Sequence, residues 1–260
     1  MQKSEYENIY RNEETHFYYT SLNNLILSLL KREGLKKGDK ILDAGCGTGG
    51  MLLKLSKRYM AEGVDISAEA LKFCARRKVR AVVGSLDKLP FDKNTFDAVI
   101  SLDVIYHKHV KDDFGAMSEL VRVLKPGGKL ILRAPAFNFL RSDHDKVVMT
   151  NRRYTGEELK KLAKKAKLEV IQISYLNPSL FFGSLVSKLF LYHPQPPLKL
   201  RGGRSYPIGG DTESGIHSSV NKINPAINWL GFVVLSLENL LVRLGLSWPI
   251  GRGVILVARK

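Results

Sequence analysis

The segment from Lys40 to Gly50, KILDAGCGTGG, constrains the fold of this chain more than any other. Lys40-Ile41-Leu42-Asp43-Ala44 is a short buried-strand pattern that runs without a break into a glycine turn. Met51 to Tyr59 then carries helical apolar spacing, with Leu52, Leu53 and Leu55. Gly45, Gly47 and Gly49 permit the tight bend and let a ligand approach the backbone closely. Gly45-x-Gly47-x-x-Gly50 also satisfies a dinucleotide-binding fingerprint, a weak signal by itself. Asp65 strengthens it. It closes the next strand pattern about 20 residues on, where a carboxylate accepts the hydroxyls of a ribose. Strand, turn, helix and acid together predict an adenosine-type ligand over the C-terminal edge of a sheet.

Helix and strand patterns alternate from there. Ala68 to Arg77 reads as helix, Ala81-Val82-Val83 as a third strand and Phe96 to Leu102 as a fourth. Phe114 to Leu124 is helical, and Lys125-Pro126-Gly127-Gly128 leads into a fifth strand, Lys129 to Arg133. Thr155-Gly156-Glu157-Glu158 is a capping box opening a helix that runs to Lys167. Leu168 to Tyr175 is a sixth strand, and Val254 to Ala258 the last. This order predicts βαβ units, an α/β fold with a parallel sheet, and right-handed crossovers. The residues before Gly34 read as helix, with Gly34 as its C-terminal stop. Between the last two strands lie an apolar aromatic run, a loop rich in Pro and Gly, and an apolar helix from Ala226 to Leu244. The organisation expected is a helical lid at 1–34 and a core at 35–177. A helical and loop insertion at 178–253, facing substrate or membrane, precedes the last core strand at 254–260.

At 260 residues the chain can bury a full core without staples. Apolar residues at 44% and charged residues at 25% exclude disorder and collagen-like repeats. Cys46 and Cys74 form no CxxC pair, so a disulfide scaffold and a cysteine-rich zinc module are excluded and no metal site is expected. The N-terminal segment is charged and lacks the apolar stretch of a secretory signal. The expected location is cytoplasmic, with a peripheral position on the inner face of the membrane as the second candidate. Val170 to Ser187 is interrupted by polar residues, and Ile223 to Leu237 falls short of the roughly 20 residues a spanning helix needs. Basic residues number 41 against 25 acidic, a net charge of +16 that predicts anionic company: nucleic acid, acidic headgroups or a phosphorylated substrate.

Three later motifs narrow the adenosine ligand. Leu89-Pro90-Phe91, Phe96-Asp97-Ala98-Val99-Ile100 and Leu124-Lys125-Pro126-Gly127-Gly128 occur in that order. With the glycine turn, they resemble class I S-adenosylmethionine-dependent methyltransferases of the ubiquinone/menaquinone-type and small-molecule group, over about residues 35–135. The resemblance implies a Rossmann-like seven-stranded, mostly parallel sheet with helices on both faces. Its strand order would be 3-2-1-4-5-7-6, the last strand antiparallel. It implies S-adenosyl-L-methionine as cofactor, with Asp43, Gly45, Gly47 and Gly49 around the methionine end and Asp65 on the ribose. Cys46, Ile66 and Asp103 join that set, and Ser85 and Leu86 border the adenine. Many relatives carry an aspartate where this chain has Ser85; Leu86 still offers an apolar contact. The flanks, Glu14-Thr15-His16-Phe17-Tyr18 and His144-Asp145 followed by Asn151-Arg152-Arg153-Tyr154-Thr155, resemble a narrower subgroup often encoded alongside glycosyltransferases and surface-polysaccharide enzymes.

Methyl transfer from a sulfonium needs alignment and exclusion of water more than it needs protein functional groups. A hydroxyl acceptor adds the need for a general base. His107 and His144 follow the fourth and fifth strands, where ligands bind in such folds, and are the candidate bases; a neighbouring carboxylate would orient His144. Arg152 and Arg153 are candidates for gripping an acidic acceptor, the alternative being pairing with loop acids such as Asp143 or Asp145. Tyr154 reads equally as substrate wall or core. His16, Phe17 and Tyr18 read as a lid over the cleft, or as a helix packing by its aromatic face. Lys160, Lys161, Lys164, Lys165 and Lys167 form a basic helix face. Nucleic acid is nevertheless disfavoured, because no Asn-Pro-Pro-aromatic tetrapeptide follows the fourth strand and no Pro-Cys pair is present.

The insertion carries Phe181, Phe182, Leu185, Leu189, Phe190 and Tyr192, then a stripe through Trp229, Leu230, Val233, Val234, Leu237, Leu241 and Leu244. With Lys199, Arg201, Arg204, Lys222, Arg243 and Arg252 around it, this suits a docked core helix or an anionic membrane surface. The expected function is methyl transfer to a small-molecule, glycan or lipid-linked acceptor, at oxygen. The rivals are an NAD-dependent oxidoreductase, for which no Tyr-x-x-x-Lys pair is evident, and a non-catalytic binding protein of the same fold.

Overall fold

Alternation of apolar residues on the strands sets the architecture. In β1 (Lys40–Ala44), Ile41 and Leu42 are both fully buried but belong to different clusters, one on each sheet face. β5 (Leu124–Pro135) does the same with Leu130, Ile131 and Leu132, and β7 (Gly253–Arg259) with Val254, Ile255 and Leu256. Successive side chains point to opposite faces, so an unbroken apolar strand must be covered on both sides. The computed structural model, which describes residues 3–186 and 223–260, shows both covers.

On one face α5 (Asp113–Val123) and α7 (Gly156–Lys165) supply Met117, Leu120, Leu159 and Ala163. On the other, α2 (Phe17–Arg32) supplies Leu25, Ile26, Leu29 and Leu30, and α3 (Gly50–Leu55) supplies Met51 and Leu55. α1 (Lys3–Asn12) packs Tyr6 and Tyr10 against Ala70 and Phe73 of α4 (Ala68–Arg76). β2 (Met60–Asp65), β3 (Ala81–Val83), β4 (Phe96–Leu102) and β6 (Glu169–Leu176) complete a seven-stranded sheet of order β3-β2-β1-β4-β5-β7-β6. β7 runs antiparallel to both its neighbours, and the other pairings are parallel. Topology and core therefore follow the α/β expectation.

Several boundaries differ from it. The N-terminal helix is two helices, because the chain bends between Asn12 and Phe17. His16 caps the second: its Nδ1 accepts the Tyr18 N–H at 3.2 Å. The helix after the glycine turn stops at Leu55, short of Tyr59, so that β2 starts at Met60. The Lys125–Gly128 segment, expected to precede the fifth strand, lies inside the long strand β5, where the pairing with β4 shifts register between Phe96 and Ala98. A bulge bends the strand there.

Between β6 and β7 stand α6's downstream neighbours α8 (Pro178–Val186) and α9 (Pro225–Arg243); α6 itself (Asp143–Val147) follows β5. The expectations for Leu189, Phe190, Tyr192, Lys199, Arg201, Arg204 and Lys222 fall outside the described residues. α9 matches the expected Ala226–Leu244 helix to within a residue at each end. Its 19 residues are long and apolar enough to cross a membrane by length and composition. One side of α9 is docked on α2.

Candidate functional site

The sheet order reverses between β1 and β4, and a cleft opens at their C-terminal ends, as sheets of this topology require. A cavity of about 790 Å³ occupies it, near the upper end for small-molecule sites. The glycine turn forms one wall. Gly45 has φ 92°, and a Cβ there would stand 2.2 Å from Val104 Cγ2, so only glycine fits. Its N–H is held by the Val64 carbonyl at 2.7 Å, which ties the turn to β2. Gly49, with φ 85°, starts α3; it shapes the turn and does not line the cavity.

Three carboxylates face this wall: Asp43 from the end of β1, Asp65 from the end of β2, and Glu13 from the bend after α1. Asp65 Oδ2 accepts the Gly47 N–H and Oδ1 the Ser67 N–H, each at 2.9 Å. Each oxygen keeps a second lone pair, so both ribose hydroxyls still find an acceptor. Asp43 Oδ2 is buried without a partner among the described residues. Burial, then the nearby Asp65 and Glu13, push Asp43 up to about 7. Burial also raises Asp65 and Glu13. Clustered carboxylates of this kind call for a cationic ligand. A nucleoside bearing a sulfonium and an ammonium group answers that need. The orphaned Asp43 oxygen, the bare turn at Gly45 and the ribose acceptor Asp65 thus all fit S-adenosylmethionine.

Ser85, Leu86 and Ile66 line the cavity beside the turn, as does Cys46. The Ser85 hydroxyl accepts the Asp87 N–H at 3.2 Å, closing its own loop where many relatives place an aspartate. Cys46 and Cys74 are free, their sulfurs 3.9 Å apart, and Cys74 Sγ donates to the Gly47 carbonyl at 3.3 Å. They buttress the turn from behind.

The opposite half of the cavity has a different character. Asp103, just past β4 with φ 61°, pairs with Arg133 from the end of β5. The Arg133 guanidinium lies 5.6 Å from the Tyr18 ring centre, and Gly253 leaves room for it: a Cβ there would sit 2.6 Å from Nη2. Arg133 Nε is buried without a partner among the described residues. Arg252 also lines the cavity and makes no ion pair among the described residues. Arg133 and Arg153 are neutralised by Asp103 and Asp145, which leaves Arg252 and the Nε–H of Arg133 for an anion, where the cofactor half clusters carboxylates.

His107 and His144 both line the cavity. Burial, then His109, lowers His107 to about 4; burial, then Arg252, also lowers His144. Both rings are neutral near pH 7. His107 Nδ1 accepts the His109 N–H at 3.3 Å, which assigns its own proton to Nε2. His144 carries no such commitment. Of the two carboxylates beside it, the Asp143 side chain lies outside the described ones, and Asp145 is engaged elsewhere. Asp145 accepts from Arg153 Nε and Nη2, both at 2.9 Å, and from the Ser142 N–H at 2.8 Å. Burial alone would raise Asp145; these bonds outweigh it and hold its carboxyl low.

The arginines expected to grip substrate are thus occupied. Arg153 lines the cavity but is locked to Asp145 in a buried fork. Arg152 pairs with Asp113 and stands outside the lining, and Tyr154 is core, its hydroxyl donating to Asp113 at 2.8 Å. His16 and Tyr18 do line the cavity, with Phe17 and Tyr19. Burial keeps His16 neutral; since its Nδ1 caps α2, its Nε2–H is the group left without a partner. Sequence reading missed Glu13, Arg133 and Arg252. Arg133 had a visible signal, a charge ending an apolar strand. Glu13 had none, since only the fold brings α1 over the turn. There it accepts from Thr48 Oγ1 and from Arg77 Nη2, the latter at 2.9 Å.

An α/β sheet with this strand order, a glycine turn and a carboxylate-lined nucleoside cleft defines a cofactor-dependent transferase fold. Residues 42–132 match the family described as a methyltransferase domain. The match covers about a third of the chain and reaches from β1 into β5. The chain is 38% identical over 101 residues to the tRNA (carboxymethyluridine(34)-5-O)-methyltransferase of Arabidopsis thaliana, covering 38% of this chain and 25% of that protein. It is 35% identical over 132 residues to a demethylmenaquinone methyltransferase of Staphylococcus aureus, covering 44% and 54%. The chain thus spans about half, or less, of these relatives' lengths. Among solved structures, a chain from the Haloferax volcanii complex between the Trm112 methyltransferase activator and a methyltransferase shares the fold. Its TM-score is 0.60 at 19% identity, over 98% of this chain and 93% of that one.

Proposed function

We propose that this chain moves the methyl group of S-adenosylmethionine to an oxygen of a small-molecule, glycan or lipid-linked acceptor. The observation that carries the proposal is the division of one cavity into a carboxylate half at the glycine turn and a half where Arg252 and the Arg133 Nε–H stand without partners among the described residues. The cofactor supplies an activated methyl group. Asp43, Asp65 and the Gly45–Thr48 backbone hold it, and Leu86 and Ile66 offer the apolar wall. His144 takes the acceptor proton, being neutral and free of the hydrogen bond that commits His107. Arg252 and the Nε–H of Arg133 hold an anionic group of the acceptor. His16, Tyr18 and Tyr19 close the cleft against water.

A second reading, RNA methylation, is favoured by the net charge of +16 and by the relative that acts on tRNA. It conflicts with the sequence-based expectation that nucleic acid is disfavoured. One experiment separates the two. Protein and tritiated-methyl cofactor are incubated with a native lysate, which is then split into lipid, glycan, RNA and protein fractions. Label in the lipid, glycan or small-molecule fraction supports the proposal, and label in RNA replaces it. No label, despite cofactor binding by calorimetry, makes the chain a non-catalytic binding protein.

A further inference from the structure

We propose that the outer face of α8 and α9 rests on an anionic lipid surface, with α9 lying along the bilayer rather than through it. The inference does not depend on the acceptor. α9 has the length of a membrane span, roughly 28 Å at 1.5 Å per residue. Three of its polar side chains nevertheless bond to the body of the protein. Asn239 Nδ2 donates to Ser21 Oγ of α2 at 2.9 Å. Asn228 Oδ1 accepts the Phe17 N–H at 2.8 Å, while its Nδ2 donates to the Thr15 carbonyl at 2.9 Å. Glu238 Oε1 accepts the Ser179 N–H of α8 at 2.9 Å. A helix threaded through a membrane would lose every one of these bonds to the rest of the fold.

The opposite side of α9 faces outward and is apolar. Trp229 is 67% exposed, Leu237 64% and Leu244 67%, with Leu230 and Leu240 between them. On α8, Phe182 and Val186 are exposed as well, and neither helix adds an outward acidic group. Exposure of this much contiguous large apolar surface marks an interaction site in a water-soluble fold. An apolar stripe with tryptophan, opposite a polar side, is the pattern of a helix seated in a bilayer interface.

Charge selects the occupant. The chain carries +16, and the sequence joining α8 to α9 holds Lys188, Lys199, Arg201, Arg204 and Lys222 against Asp211 and Glu213. An anionic headgroup layer attracts such a protein, whereas a second copy of the same chain is repelled by it. Arg252 lines both the large cavity and a smaller one beneath α8, where Ser142, Ser179 and Ser184 also stand. The lipid-facing side and the transfer site therefore share a wall.

The test uses the full chain with vesicles of phosphatidylcholine alone or mixed with phosphatidylglycerol. Co-flotation with the mixed vesicles is expected, along with quenching of protein fluorescence by lipids brominated on their acyl chains. In Trp229→Phe, which keeps Trp248, that quenching should largely vanish. Leu237→Ser should weaken partitioning roughly tenfold, as loss of one buried leucine implies, with cofactor affinity by calorimetry unchanged. No flotation overturns the proposal. Flotation that survives Leu237→Ser with no bromolipid quenching also overturns it, leaving charge attraction alone. A dimer on light scattering that Leu237→Ser dissolves would assign the face to a second copy instead. Cofactor binding is read separately throughout, so failure here leaves the methyl-transfer reading standing.

Discussion

Asp43 shows how one residue can serve binding at the expense of stability. Its folded pKa stands near 7, above the ordinary carboxylate value of about 3.9. Folding therefore favours its protonated form. That contribution is complete below the ordinary value and is lost as pH rises through 7. The melting temperature of the cofactor-free protein should fall between about pH 4 and pH 7, and Asp43→Asn should reduce that fall. The same variant should lose S-adenosylmethionine binding, and wild-type affinity should drop as pH is lowered through 7, both read by calorimetry. A pH-independent affinity would show that Asp43 does not meet the cationic end. Asp65→Ala should weaken binding by about 100-fold, for two hydrogen bonds to a charged group at roughly 1.5 kcal/mol each. Asp43, Asp65 and the glycine turn were legible in the sequence because they are close along the chain or at a fixed strand spacing. Arg152 and Tyr154 were left open between substrate and structural roles, because a local motif does not say which way its side chains turn. Asp113, a helix away, claimed both.

At the scale of elements, two clamps hold the cleft. Glu13 and Arg77 join the α1–α2 bend to the glycine turn and α4: Arg77 Nε donates to the Thr48 carbonyl at 3.0 Å, and its guanidinium stacks 4.3 Å from the Tyr10 ring centre. Glu13→Ala should release α1, seen as faster limited proteolysis before Phe17 and faster cofactor dissociation in stopped flow. Unchanged rates on both counts would make α1 a passive cover. The second clamp, Arg153 with Asp145, pins the loop bearing His144. Breaking a buried pair by removing one partner costs about 3–5 kcal/mol, so Arg153→Met should show that loss in urea unfolding. Adding Asp145→Leu should recover much of it, since an apolar pair leaves no stranded charge. Strands and core helices were readable from periodicity alone. The split between α1 and α2 was not, because what bends the chain is a carboxylate reaching a turn far away in sequence.

For the whole molecule, sheet order and the antiparallel β7 agree with what the family resemblance implied. Ligand linkage should act on this single body. At S-adenosylhomocysteine concentrations near 100 times its dissociation constant, stabilisation is about 2.7 kcal/mol. For a chain of this size that raises the melting temperature by roughly 5–10 °C. NAD should leave it unchanged, and a shift with NAD instead would restore the oxidoreductase rival. The insertion was the least legible part, because an apolar stripe reads the same whether it meets a core, a partner or lipid. Its most telling detail is Asn228, which grips both sides of the α1–α2 bend from α9. If contact at the outermost helix changes nucleoside affinity through this grip, nucleoside binding must change that contact by the same factor.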